Sequence, residues 1–277
     1  MKMRSKLLPT FFPVLAGGIL AVLTGGSSAS AAITGFGTTG AGWTFNAVNA
    51  TYTPSVAENT LQLTSASSYE GTSAWYDTAQ NVANSWTANF TWQLVFTQNV
   101  PGDGFVFEVQ TGGTSEVGTA DGTKAGWLPT GNYVGAGLEN YPSPYYGMQY
   151  YQPGGSGLAP VLGTGTTGSL DLATDTNPIN FTVAYDATAQ TLSVTGTDPT
   201  TTNGTFTDTQ TGVNIATILG SGTGYVGFTG GAGAADEQQN ISNFSFVSTP
   251  EPASLALLAI AGAGMLLLKR RRASNVT

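Results

Sequence analysis

The stretch "TANFTWQLVF", residues 87–96, decides the fold class. Aromatic and aliphatic residues occupy every second position, and mostly polar residues lie between them. The apolar set is Phe90, Trp92, Leu94 and Phe96. Because alternate side chains of an extended chain point to opposite faces, this period of two predicts a strand with one buried face.

Similar patterns recur along the chain. Between residues 33 and 247 there is no sustained apolar period of 3.6, and period-two runs are separated by Gly, Asn, Asp and Pro. One run of this kind, residues 179–197, reads as two strands joined by a turn at 186–189. Many short strands with one aromatic face predict an all-β sandwich of two packed antiparallel sheets. We expect long surface loops over 112–126 and 153–168.

The distribution of charge excludes several classes of function. Seven of the eight basic residues lie near the chain ends, so the stretch from 32 to 250 holds 15 acids and one base, Lys124. A surface this acidic repels phosphate backbones, which excludes nucleic acid as a partner. The absence of Cys and His excludes disulfides, zinc sites built from these residues and His-based catalytic triads.

The first 31 residues have the pattern of a secretory signal peptide. A basic start is followed by an apolar run from Leu7 to about Leu23, which predicts a signal helix. Small residues follow, and Ala29 and Ala31 mark the expected cleavage site. The alternative is a retained N-terminal anchor, which the small residues after the apolar run disfavour.

The C-terminal residues 248–277 predict a membrane anchor. The run from Ala253 to Leu268 has no charged residue, and the basic cluster Lys269–Arg272 follows it directly. We expect a transmembrane helix whose basic end stays in the cytoplasm, so that the preceding domain lies outside. The alternative is a buried core helix, but four consecutive bases would then have to leave the core at once.

The order of features in this tail resembles the PEP-CTERM sorting signal of Gram-negative bacteria. Pro250, Glu251 and Pro252 precede the apolar run, and Arg270 and Arg271 follow it. The resemblance implies recognition and cleavage by an exosortase-type membrane enzyme, in a setting linked to exopolysaccharide. We therefore expect an exported protein, anchored through its C-terminal helix and then placed at the cell surface or released.

The central residues 32–247 resemble the L-type (legume-type) lectin domain, a concanavalin-like jelly roll. Several stretches, in order along the chain, carry the resemblance. They are "NTLQLTSASSYEGTSAWY" (59–76), "WTANFTWQLVF" (86–96), "GDGFVFEVQ" (102–110), "YVGAGLENY" (133–141), and two closing stretches at 179–195 and 224–246. The resemblance implies a carbohydrate-binding protein with a glycan or polysaccharide as its partner.

The resemblance also implies sugar-binding residues. Asp103 matches the family's Asp that hydrogen-bonds sugar hydroxyls and is held by a cis peptide bond and a calcium ion. An equally open interpretation is that Asp103 and Gly104 form a turn before a strand. Gly126 matches the Gly-rich loop whose amides meet the sugar, with a flexible loop as the alternative. The loop Gly230–Glu237 stands where the family sets its sugar preference; its acids, Asp236 and Glu237, are expected to be solvated.

A tyrosine-rich segment offers a second surface for sugar. In "NYPSPYYGMQYYQPG", residues 140–154, we take Tyr146 and Tyr151 as candidates for stacking on sugar rings. Tyr145 and Tyr150 are expected to cover the core instead.

The metal ligands of the family are eroded. Gly137 stands where the family has its first carboxylate, Glu139 replaces an Asp, and Gln239 stands at the position assigned to the ligating His. A manganese-type site is therefore lost. Calcium needs six to eight oxygen ligands, and Asp103, Glu139, Asn140 and backbone carbonyls supply some of them.

Three functions remain open. The first is a carbohydrate-binding protein, and the second is a structural matrix or envelope protein on the same scaffold without a specific sugar site. The third is a glycoside hydrolase, since this sandwich also hosts such enzymes. Asp103 and Glu108 have an odd spacing that sends them to opposite faces, and there is no Glu-x-Asp-x-x-Glu stretch. We therefore expect no enzymatic activity.

Overall fold

The structure is a computed structural model of the whole chain, and the description below covers most of its central part. The described residues are 31–48, 52–97, 101–119, 125–128, 131–141, 147–153, 163–165, 167–168, 170, 172, 176–201, 204–235 and 237–249. The predicted signal helix and the predicted transmembrane helix lie outside these residues, as do Ala29, Pro250, Glu251, Pro252, Arg270 and Arg271.

Two antiparallel sheets form the body of the protein. The back sheet contains β1 (Ile33–Thr34), β3 (Ser55–Ala57), β4 (Thr60–Gln62), β7 (Trp86–Thr97), β12 (Ile179–Asp186), β13 (Thr191–Thr197), β14 (Thr205–Thr211) and β16 (Glu237–Ser248). Its order is β14-β13-β12-β7-β16-β4-β3, and β1 pairs with β16.

The front sheet lies against it. Its strands are β2 (Trp43–Val48), β5 (Glu70–Tyr76), β8 (Gly104–Gln110), β9 (Tyr133–Glu139), β10 (Gly147–Tyr151), β11 (Gly163–Gly165) and β15 (Thr223–Ala232), with β6 (Gln80–Asn81) paired to β15. Its order is β11-β10-β9-β8-β15-β5-β2. The all-β prediction is confirmed. The predicted loop over 153–168 was partly wrong, since β11 lies within it and pairs with β10.

The core between the sheets is made by the alternation seen in the sequence. Phe90 of β7 lies at its centre, with its ring centroid 5.0 Å from that of Phe228, 5.4 Å from Phe181 and 5.6 Å from Phe105. Edge-to-face and offset ring pairs at these distances are favourable beyond the area that they bury. We call this cluster the inter-sheet core.

The outer face of the front sheet is also covered. Trp75, Tyr133 and Tyr151 project from it and pack with Trp127, which lies in the short segment 125–128. We call residues 125–128 the cover segment. It approaches the sheet closely at Gly126, where a Cβ atom would come within 2.3 Å of the Gly230 carbonyl group. Glycine is therefore required there, and its φ of +75° adds to that requirement.

Helix is almost absent from the described residues. The short helix α1 (Ile215–Leu219) begins at Asn214, whose side chain accepts a hydrogen bond from the Thr217 amide, and ends at Gly220 in the left-handed conformation. In the part of the chain that the structure describes, no helix has the length and apolarity needed to cross a membrane.

Candidate functional site

Loops converge at the end of the sandwich where β8 begins and β9 and β15 finish; we call it the loop end. There Gly231 pairs with Gly71 on one side and with Gly104 on the other, and Gly104 pairs in turn with Glu139. Because three of these paired residues are glycines without side chains, the surrounding loops can approach the sheet closely. For example, a Cβ atom on Gly71 would lie 2.7 Å from the Gly118 carbonyl oxygen.

Asp103 lies at this end, immediately before β8. The Gly102–Asp103 peptide bond is cis, as the family resemblance implies. The Asp103 amide donates to the Gly231 carbonyl at 2.9 Å, and its carbonyl accepts from the Asn140 amide at 3.0 Å. The residue is only 1% exposed. A ligand that reaches its carboxylate must therefore enter between the loops around it.

Asp103 belongs to a buried group that we call the carboxylate cluster: Asp103, Glu139, Asn140 and Glu237. The Glu237 carboxylate accepts hydrogen bonds from the Asn140 amide group at 2.6 Å and from the Gly102 backbone amide at 3.2 Å. The expectation that Glu237 is solvated was wrong, because it is fully buried at the start of β16. Three acids from three separate chain segments thus share one interior site.

Burial and mutual repulsion shape the acid–base behaviour of the cluster. Burial, together with the neighbouring charges of Asp103 and Glu237, raises the pKa of Glu139 to about 9. Burial also raises the pKa of Glu237 to about 8, against the hydrogen bonds from Asn140 and Gly102 that lower it. The site therefore favours bound protons or a bound cation over three free negative charges.

The donor atoms of the carboxylate cluster indicate which metal ions would suit it. Three fully buried oxygens accept no hydrogen bond: one each from the side chains of Glu139, Asn140 and Glu237. Carboxylate and amide oxygens are donors that suit calcium, magnesium and manganese. Among the described residues, however, no three acidic side chains are arranged as a ready-made metal site.

Two further residues occupy positions at which the resemblance implies ligands of a second, manganese-type site. A side chain at Gly137 has no room, since its Cβ atom would lie 2.2 Å from the Phe105 carbonyl oxygen. Gln239 does not take the place of a ligating residue either. Its side chain accepts from the Trp92 indole at 2.9 Å and donates to the Gly104 carbonyl at 2.8 Å, so it ties the two sheets together.

Gly126 and Tyr151, which were also predicted to bind sugar, lie in different environments. Gly126 lies at the loop end, packed against Gly230 and Gly231 and hence close to the backbone partner of Asp103. Tyr151 does not present its ring to solvent as expected. It is 5% exposed and stacks on Trp127, with ring centroids 5.7 Å apart.

Of the remaining tyrosine candidates in this segment, the structure describes one. Tyr150 lies in the inter-sheet core, which confirms the prediction for that residue. Tyr145 and Tyr146 lie outside the described residues.

Sequence reasoning missed that a further acid, Glu108, is buried on the outer face of the front sheet. Its side chain lies over Gly135 and accepts a long hydrogen bond, 3.4 Å, from the Leu128 amide of the cover segment. Burial raises its pKa to about 8. The signal was present in "FVFEVQ", where a charged residue occupies a position between apolar residues in a strand buried on both faces.

Comparisons with known proteins agree with this architecture. The lectin of Bauhinia forficata in complex with GalNAc superposes with a TM-score of 0.62 at 20% identity, over 80% of this chain and 99% of that one. The fold is that of the legume lectins. The legume lectin domain model matches residues 163–258, so the expected resemblance is confirmed.

Other legume lectins give similar values. Peanut lectin with a nine-residue peptide has a TM-score of 0.63 at 20% identity, covering 79% of this chain and 97% of that one. Basic winged bean lectin with Tn-antigen has a TM-score of 0.63 at 16% identity, covering 80% and 99%. No curated protein matches the chain.

The PEP-CTERM protein-sorting motif matches residues 248–272, directly after β16. The motif indicates an exported protein that an exosortase processes. The legume-lectin fold and this motif together describe a surface-sorted, lectin-like protein.

Proposed function

We propose that this protein binds a neutral glycan at its loop end and acts in the exopolysaccharide or envelope of the cell that exports it. The observation that supports this most directly is the placement of Asp103. Two backbone hydrogen bonds hold it between Gly231 and Asn140, and Gly126 contacts Gly231. A carboxylate and nearby backbone amides, held rigidly, are the groups that hydrogen-bond sugar hydroxyls.

The charge of the domain supports a neutral glycan. Residues 32–250 contain 15 acids against the single base Lys124. Anionic polysaccharides are therefore repelled at long range. Two lectins of the same fold are in complex with GalNAc and with Tn-antigen.

Calcium is part of the proposal. The carboxylate cluster would provide the protein oxygens for such an ion, namely those of Asp103, Glu139, Asn140 and Glu237. The bound charge would neutralise the acids, and it would hold the Asp103 carboxylate in one orientation. The three buried oxygens that accept no hydrogen bond support this assignment.

We propose binding rather than hydrolysis. Glycosidases hold two carboxylates about 5–9.5 Å apart on either side of the scissile bond. On the outer face of the front sheet, Glu108 pairs with Gly135, whereas Glu139 is four residues further along β9. Four strand residues correspond to about 13 Å. Glu139 and Glu237 of the carboxylate cluster are themselves buried and share one interior site.

A structural role in the matrix is the second candidate, and the burial of Asp103 favours it. A protein of this kind has no saturable sugar site and shows no calcium-linked change in melting temperature. The same experiment therefore separates the two functions.

The experiment measures glycan binding and thermal unfolding of the exported domain, each in calcium and in EDTA. We expect saturable binding to a neutral glycan, and a higher melting temperature in calcium because the ion binds only the folded state. Asp103→Ala should weaken binding by about 10- to 100-fold, the loss expected for a hydrogen bond to a charged group.

Glu58→Gln is the matched control, because it removes an exposed acid from the turn between β3 and β4. It should leave binding unchanged. If the wild-type domain binds no glycan and its melting temperature is the same in calcium and EDTA, the structural role is correct instead.

A further inference from the structure

The sorting motif begins within the folded sandwich. The motif matches residues 248–272, whereas β16 extends to Ser248. Ser248 pairs with Trp86 of β7 and is 6% exposed. The Thr249 amide donates to the Ser85 carbonyl at 2.8 Å. These four residues hold the first two positions of the motif against the start of β7, and we call them the tail clamp.

The sequence explains why the pairing ends at this position. Proline has no amide hydrogen, so Pro250 has none to donate to the neighbouring strand, and Thr249 carries the last amide before it. A proline also favours an extended backbone in the residue that precedes it, which suits Thr249 to the pairing. The first proline of the motif is therefore compatible with the tail clamp on one side and ends it on the other.

Detachment of Ser248 and Thr249 would leave the inter-sheet core in place. Phe246 is fully buried, and its ring centroid lies 5.5 Å from that of Trp86. Thr249 is exposed, so its release from Ser85 takes no apolar side chain out of the core. An opening that breaks few hydrogen bonds and exposes little apolar surface has a low free energy. We therefore expect the detached state to be a minor population of the folded protein.

The tail clamp lies close in the chain to the apolar run of the sorting motif. Three residues, 250–252, separate Thr249 from Ala253, where the uncharged run begins. The four chain steps from Thr249 to Ala253 reach at most about 14 Å when they are fully extended. An exosortase that binds the residues in between therefore meets the end of the sandwich opposite the loop end.

Pairing within the sheet limits access to the motif. A peptidase cuts a paired segment through its transiently opened state, and the rate follows the population of that state when opening and closing are fast. The Thr249 amide already donates to Ser85, so it is not free to bind an enzyme. Access to the start of the motif thus depends on the tail clamp.

We propose that the tail clamp controls the processing of this protein: the exosortase cuts the tail only while Ser248 and Thr249 are detached from β7. The detachment breaks hydrogen bonds alone and precedes the cleavage. The stability of the strand end then determines how long a folded molecule keeps its tail. This inference uses the processing that the sorting motif indicates and is independent of glycan binding.

The experiment follows cleavage of the full chain in the exporting cells, as loss of the tail after a pulse of synthesis. Thr249→Pro removes the amide that donates to Ser85, and Thr249→Ala keeps it and is the matched control. We expect Thr249→Pro to be cleaved about two- to tenfold faster than wild type, the effect of one backbone hydrogen bond on the detachment equilibrium. Thr249→Ala should be cleaved at the wild-type rate.

Two further variants act on the tail clamp without a proline at position 249. A flexible insertion of Gly and Ser between Thr249 and Pro250 moves the later motif residues away from the sheet, and we expect faster cleavage. The double variant Ser85→Cys, Thr249→Cys closes the tail clamp with a disulfide, in a chain that has no other Cys. Cα atoms paired across antiparallel strands are about 4.5–5.5 Å apart, within the range of a disulfide.

The disulfide variant compares one sequence in two states, so it separates detachment from recognition of the altered residues. In membranes prepared from the exporting cells, we expect the oxidised form to be cleaved more than about tenfold slower than the form treated with a reductant. Equal rates for the two forms would overturn the inference, since the exosortase would then accept an attached strand end.

The other variants provide independent grounds for rejection. Cleavage of both Thr249→Pro and the insertion variant at the wild-type rate or slower shows that the tail clamp does not limit processing. Equal acceleration in Thr249→Ala and Thr249→Pro assigns the effect to the threonine side chain and also rejects the inference. Loss of the proposed glycan binding in any test leaves the inference standing.

Discussion

The inter-sheet core and the carboxylate cluster are equally buried but differ in what their burial does to stability. Phe90 and its ring partners gain free energy by leaving water. For Glu139 and Glu237 in their charged forms, burial is unfavourable. The pKa of each is therefore raised, to about 9 and about 8. Because such a cluster lowers stability, we expect that it is retained for the proposed binding of calcium and glycan.

The largest effect should come from the core. Phe90→Ala removes the ring at the centre of four aromatic contacts, with Phe105, Phe107, Phe181 and Phe228. We expect the free energy of unfolding to fall by about 3–5 kcal/mol, measured by denaturant unfolding. Val247→Ala, at an exposed position of the back sheet, should cost less than about 1 kcal/mol. Equal losses for the two variants would contradict the contrast between core and surface.

At the loop end, we expect close backbone contacts to contribute more to the free energy of unfolding than the burial of side chains does. Gly126→Ala places a Cβ atom against the Gly230 carbonyl group and requires a left-handed alanine. We expect a loss of about 2–3 kcal/mol together with weaker glycan binding, because the cover segment is pushed away from the sheet. Gly212→Ala is a suitable control, since its φ is also +75° but its Cβ atom would meet nothing within 4 Å. A melting temperature for Gly126→Ala as high as that of the control would show that the close approach is unimportant.

The smallest effect concerns the acid under the cover segment, and it depends on pH. The folded protein keeps the Glu108 proton up to a pKa of about 8, whereas the unfolded chain releases it near the ordinary pKa of a glutamic acid. This residue therefore lowers stability progressively as the pH rises from about 4.5 to about 8. Glu108→Gln still accepts from the Leu128 amide and does not titrate.

We expect Glu108→Gln to match wild type at pH 4 and to be more stable by about 2 kcal/mol at pH 9. Chemical unfolding of both proteins across this pH range measures the difference. Identical pH profiles would mean that Glu108 is ionised and stabilised within the fold.

The fold was largely predictable because the apolar alternation that assigns each strand lies within a short stretch of sequence. Alternation in β7, β8 and the β12–β13 hairpin assigned both the strands and their buried faces. The strand β11, "GTG", was missed because three small residues carry no apolar pattern.

The candidate site was predictable only in part. Asp103, Glu139 and Asn140 were found through the family resemblance, since no local pattern distinguishes them from turn and strand residues. Glu237 was missed because its environment is created by a partner 97 residues away, Asn140. Tyr151 was misplaced for a similar reason: Trp127 covers it, and the two are brought together only by the cover segment.

The long strand β16 connects the carboxylate cluster at one end of the domain with the opposite end. β16 starts at Glu237, inside the carboxylate cluster, and runs for 12 residues to Ser248, where the sorting motif begins. That length is about 36 Å. The strand β1 pairs with β16 near the same far end, at Phe246, so the first described strand and the last residues of β16 lie at the same end of the sandwich. We therefore expect a molecule anchored by its tail to direct the proposed glycan-binding loops away from the lipid surface, and we expect cleavage of the tail to leave those loops unchanged.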